Sequence, residues 1–106
     1  MPKVVVCDTI EKQSKGVMGL RVFPKDTVYL FPEIGQGAMF HMATVPFALD
    51  IAFLDQNDKV LMVTTMPAEY GVAKAPKGTV KALEGPVGFF DEYRDIVPLK
   101  EFDYDQ

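Results

Sequence analysis

At 106 residues the chain has room for one ordinary domain, since domains commonly run to about 100–150 residues. Hydrophobic residues make up 48% and charged residues 25%, a mix that can bury a core without staples and excludes disorder of the whole chain. The net charge is −4 and no basic cluster occurs, which argues against nucleic acid and anionic membrane as partners.

The one cysteine, Cys7, excludes an internal disulfide and a thiolate zinc site. No window approaches the ~20 apolar residues of a membrane helix. The Val4-Val5-Val6-Cys7 run is too short for a signal-peptide core and Asp8 closes it. The chain is therefore expected to be soluble and cytoplasmic, with no cofactor.

Residues 3–10 are short and β-branched, and read as a strand. Cys7 then reads as a small buried hydrophobe rather than a nucleophile. Residues 11–15 are polar and helix-compatible, with Thr9 as a cap and Gly16 or Gly19 as the stop. Residues 23–27 carry Pro24 and make a turn; 28–31 make a strand that Pro32 ends. Residues 33–37 are loop.

The longest nearly uncharged run is 39–55, and it holds the only histidine, His41. Residues 38–44 read as one strand, Pro46 breaks it, and 49–55 read as the next. Residues 55–59 form the clearest turn, from which 60–66 return as a strand. If Asp55 faces Lys59, Ile51 pairs with Val63 and Asp50 with Thr64. Residues 67–78 form a connection long enough to be functional or locally structured. A strand at 79–84, a break at 85–88, one or two helical turns at 89–94 and an edge strand at 96–100 follow. The acidic end, 101–106, is expected to fray. The whole indicates a mainly β fold: a small antiparallel barrel or sandwich of six to seven short strands with one or two short helices.

Several segments resemble the family called domain of unknown function 192. Gly16-Val17-Met18-Gly19 is similar to its Gly-Leu-Met element, and Tyr29-Leu30-Phe31-Pro32 to its Leu-Phe-x-Phe-Pro element. His41-Met42-Ala43-Thr44 stands where the family has Trp-Met-x-Asn-Thr. Pro46 to Asp55 is similar to Pro-Leu-Asp-x-x-Phe-Leu-Asp with two residues inserted, and Ala82-Leu83-Glu84-Gly85 is similar to the last element. The resemblance covers roughly residues 4–100. It implies a β-rich barrel or sandwich of uncharacterised biochemistry. Many members follow a secretion signal or lipoprotein anchor, which this chain does not show. His41 replaces the usual tryptophan and Ala43 the usual asparagine, so a site built on those two would be altered here.

Three side chains stand out chemically. Asp50 sits between Leu49 and Ile51, so its carboxylate needs hydrogen bonds or water. It reads first as an acceptor for Thr44, Thr64 or nearby amides, and second as the polar floor of a pocket. His41 can exchange a proton, pair with Asp50 or ligate a metal. Met39 and Met42 flank it as soft donors for copper(I), but strand alternation sends Met42 the other way. Glu84 closes a strand beside Gly85-Pro86 and reads as an acceptor for that turn or as a site residue. Tyr29, Phe47 and Tyr70 are available as aromatic walls. Ser14 is the only serine and lies in the helical segment, which argues against a hydrolytic triad.

These residues support a non-enzymatic accessory or ligand-binding domain, its cleft lined by His41, Thr44, Asp50, Thr64 and Glu84. The partner is a small molecule or a protein. One alternative is a small enzyme using His41 and Asp50 as an acid–base pair. The other is a protein-interaction module that docks through the edge strand Ile96–Leu99.

Overall fold

In a computed structural model, which describes residues 1–104 apart from the Ile10 side chain, eight strands form two sheets. They are β1 (Lys3–Val6), β2 (Thr27–Phe31), β3 (Met39–His41), β4 (Leu49–Leu54), β5 (Val60–Met66), β6 (Val72–Lys74), β7 (Lys81–Gly85) and β8 (Asp103–Tyr104). The larger sheet has the order β5-β4-β7-β2-β1-β8, and β3 pairs with β6 as a separate ribbon. The fold is mainly β and sandwich-like, as the sequence predicts. It is not a closed barrel, because β5 and β8 remain edges. Nor is it wholly antiparallel. β1 runs parallel to both β2 and β8. Parallel neighbours need a crossover, and the chain from residue 7 to 26 supplies it, carrying the helix α1 (Ile10–Lys15).

The helix is only six residues long and depends on its ends. Thr9 Oγ1 accepts a hydrogen bond from the Lys12 amide at 3.1 Å, and Gly16 stops the helix at φ 45°. Thr9→Ala is expected to cost about 1 kcal/mol, read as a lower urea midpoint with an unchanged slope.

Alternation along the central strands splits the core in two. Leu49, Ile51, Phe53, Ala82 and Phe31 face one way and pack against Phe40, Met42, Val45, Ala73 and Val17. The β3–β6 ribbon and the segment after α1 thus cover one face of the sheet. Ala52, Leu54, Leu83, Val28 and Val4 face the other way and meet Phe90, Val97, Leu99 and Phe102 from the C-terminal segment. Cys7 is buried in the first core.

Three expectations shift: those for 38–44, for 96–100 and for the acidic end. The 38–44 strand shortens to Met39–His41, because Met42 to Val45 turn, with Thr44 at φ 66°. The 67–78 connection is locally structured, as its length predicts: it contains β6. The 96–100 segment is not an edge strand: Ile96 makes one isolated bridge to Lys59, and Leu99 begins a 3-10 turn. Val97 and Leu99 are buried in the second core, so this segment offers no docking edge. The acidic end is held as far as Tyr104, since Phe102 is buried and β8 lies along β1. Asp105 and Gln106, the rest of that end, lie outside the described residues.

The β4–β5 register carries a correction of direct consequence. Leu54 pairs with Val60 as expected, but a bulge next to it moves the rest by one. Ile51 therefore faces Thr64, and Asp50 faces Thr65.

Candidate functional site

The five residues singled out from the sequence do not share one cleft. Asp50 lies on the face of the sheet that packs against the C-terminal segment. Thr65 Oγ1 donates to its Oδ1 at 2.5 Å, and the Gly88 amide donates to its Oδ2 at 2.9 Å. Both oxygens are thereby used to tie β4 to β5 and to the turn before Phe90. His41 belongs to the ribbon over the opposite face. The sheet stands between the two side chains, which removes the acid–base pair. Thr44 is exposed on its turn, and Thr64 shares the face of Glu84 with Ile51 between them but does not line the cavity that holds His41 and Glu84.

His41 and Glu84 do come together. They line one cavity of about 340 Å³ between the end of α1, the start of the ribbon and the sheet. Gln13 to Met18 form one wall, and Ala38 to His41 with Ile34 and Val45 form the other. Phe31 and Phe40 meet edge-on inside, with centroids 5.2 Å apart.

Glu84 is placed by simple alternation. In β7, Ala82 faces the first core, so Glu84, two residues on, must face it as well. The side chain is only 4% exposed. Among the described residues its carboxyl group takes no hydrogen bond and no ion pair. Burial alone pushes its pKa from 4.5 to about 7. A desolvated carboxylate without a partner is costly, so the proton is held to an unusually high pH.

Gly16 keeps the floor open. A Cβ there would sit 3.4 Å from the Phe31 ring and 3.9 Å from Glu84 Oε1, and φ 45° also disfavours any side chain. Larger residues at this position would reach over the carboxyl group.

The other walls of the cavity set Gln13, Ser14, Lys15 and His41 among apolar residues. His41 is exposed at the rim, and the Ala43 amide donates to its Nδ1 at 3.2 Å, which leaves Nε2 for a ligand. Ser14 also lines the cavity, but among the described residues it is not hydrogen-bonded to His41, nor is His41 to Glu84. No activated nucleophile is assembled. A neighbouring cleft shares Lys15, Gly16 and Met18 and reaches Cys7 and Tyr29. Burial, with Glu84 nearby, pushes the Cys7 thiol up to about 11; burial, then Cys7 and Glu84, raise the Tyr29 phenol. Both are neutral at ordinary pH, so this thiol is inert as a nucleophile.

The aromatic walls differ from those expected. Tyr29 serves the neighbouring cleft, Phe47 packs on Phe23, and Tyr70 is 87% exposed.

The model for DUF192, described as an uncharacterised ACR, matches residues 1–96. The chain belongs to the DUF192 family. Two solved structures resemble this DUF192 domain in fold. One is a protein of unknown function from Novosphingobium aromaticivorans, 20% identical, with a TM-score of 0.74, covering 88% of this chain and 70% of that one. The other is a candidate transcription regulator from Sinorhizobium meliloti, 17% identical, with a TM-score of 0.72, covering 84% of this chain and 71% of that one. At these identities the likeness concerns the fold alone. No curated protein matches the chain. Among the described residues, no helix of the DUF192 domain is long and apolar enough to cross a membrane.

Proposed function

We propose that this DUF192 domain is a non-catalytic small-molecule-binding domain. Its ligand occupies the cavity between α1, the ribbon and the sheet. The observation that carries this is Glu84: a nearly buried carboxyl group, without a partner among the described residues, whose oxygens open onto the cavity. Buried polar groups are almost always satisfied, so one left unpaired beside a cavity marks where a partner binds. A volume of about 340 Å³ falls at the small end of ligand pockets, which start near ~300 Å³. A few polar groups, here Gln13, Ser14, Lys15, His41 and Glu84, set among apolar walls are the usual make-up of such a site. Of the residues picked from the sequence, His41 and Glu84 serve the ligand, while Asp50, Thr44 and Thr64 do not.

Nucleic acid is not the ligand in this proposal, because the chain is acidic and has no basic face. The description of the Sinorhizobium protein stays with that protein. A cytoplasmic setting goes with the proposal, supported by the free thiol of Cys7.

The test is amide chemical-shift mapping of the labelled chain against a panel of sugars, nucleotides and amines. A binder is expected to move the amides of Gln13–Met18, Met39–His41 and Glu84 together, and to leave those of Asp50 and Gly88 in place. A panel that moves none of the cavity amides, or moves the Asp50 side instead, overturns the proposal.

A further inference from the structure

The chemistry around Glu84 narrows the ligand class. Among the described residues no cation pairs with its carboxyl group. Lys15 lines the same cavity but forms no ion pair with Glu84. The Glu84 oxygens open onto the cavity, where a group brought from outside can pair with them. A hydroxyl would supply one neutral hydrogen bond; an ammonium supplies the hydrogen bond and the missing charge, and charge-assisted bonds are roughly twice as strong. The remaining walls suit the rest of such a molecule. Met18, Phe31, Phe40 and Val45 offer apolar surface, and an aromatic face or polarizable thioether near the anchor favours a cation over an anion. The net charge of −4 draws cations toward the domain.

We propose that this cavity takes a small aliphatic or arylalkyl primary amine, its ammonium on the Glu84 carboxylate and its apolar stem along Met18, Phe31 and Phe40. The inference rests on the reading of the cavity as a ligand site and adds the charge and shape of the ligand. His41 lies at the rim, where it meets the outer end of the stem.

Binding is linked to a proton. At pH 6 the Glu84 carboxyl group is mostly protonated and must lose its proton to the buffer when the ammonium arrives. The other titratable groups near it are Cys7 beyond β1 and Tyr29 on β2, and Lys15 on α1 and His41 on β3, which line the same cavity. Cys7 and Tyr29 are neutral at both pH values used below, so they do not supply that proton.

The experiment is isothermal titration of the full chain with hexylamine, hexan-1-ol and hexanoate at pH 8 and pH 6, in two buffers of different ionisation heat. Hexylamine is expected to bind at least tenfold tighter than hexan-1-ol at pH 8, and hexanoate not to bind. At pH 6 its affinity falls several-fold and close to one proton is released per amine. Glu84→Gln abolishes the preference for amine over alcohol. The proton count needs no variant, so it decides the matter if Glu84→Gln folds poorly. Equal binding of amine and alcohol, or amine binding at pH 6 without proton release, overturns the amine inference while the cavity stands as a ligand site. No binding of any of the three, with cavity amides unmoved by the wider panel, overturns both.

Discussion

Replacing Glu84 by glutamine is expected to stabilise the folded chain at pH 8 by about 3 kcal/mol. The cause is the cost of holding an unpartnered carboxylate at 4% exposure. Its pKa rises from 4.5 to about 7, and roughly 1.4 kcal/mol accompanies each unit of difference between the folded and unfolded states. Below pH 4.5 the group is protonated in both states and costs nothing by ionisation. Between 4.5 and about 7 the folded chain keeps the proton while the unfolded chain loses it, so stability falls as the pH rises. Above about 7 both states are ionised and the full penalty stands. Glutamine has nearly the same shape and no charge. The difference between variant and wild type should therefore be small at pH 4, grow through the window and level off above pH 7. Urea unfolding of both proteins at pH 4, 6 and 8 measures it. A constant difference across pH would mean that Glu84 is not held protonated by burial.

A stabilising substitution at a site is the usual signature of strain kept for function. Ligands bound to the folded chain raise its stability by mass action. An amine on Glu84 should thus raise the melting temperature of the wild type most at pH 8, where the unpaired charge is most costly. The same amine should leave Glu84→Gln nearly unmoved.

Much of this was legible from the chain, and what was not has identifiable causes. The strand at Leu49–Leu54, its return from Val60 and the turn between them follow from alternation and from Asp55-Gln56-Asn57-Asp58-Lys59. The bulge does not. Thr64 and Thr65 carry the same side chain, so the sequence has no preference for which one faces Asp50. β6 is invisible because three residues between Gly71 and Pro76 hold too little pattern to read. The parallel pairing of β1 with β2 depends on a crossover whose helix has only six residues, fewer than such crossovers usually show. Glu84 was within reach: its spacing from Ala82 in a strand places it on the buried face. What no local pattern shows is that Gly16, 68 positions earlier, leaves open the space above it. The site is made by two distant segments, and the sequence marks each end without marking their meeting.

Asp50 gives the complementary expectation, since its odd position in an apolar strand invites a functional role and its partners argue for a structural one. Asp50→Ala is expected to cost about 3 kcal/mol, because hydrogen bonds to a charged group contribute roughly 1.5–3 kcal/mol each and the two do not add fully. Thr65 is exposed and can turn its hydroxyl to water, so its share is the smaller. The Gly88 amide is different. It sits at φ 89° in the turn that leads Phe90 into the second core, and the carboxylate at 2.9 Å is what holds it. Losing that anchor loosens the entry of the C-terminal segment, where Phe90, Val97, Leu99 and Phe102 cover one face of the sheet. Asp50→Asn should cost less, since its amide keeps one acceptor, while Thr65→Val should cost about 1 kcal/mol. Urea midpoints rank the three. The same variants should bind hexylamine as the wild type does, because the sheet separates Asp50 from the cavity. A loss of amine binding in folded Asp50→Asn would place Asp50 in the site after all.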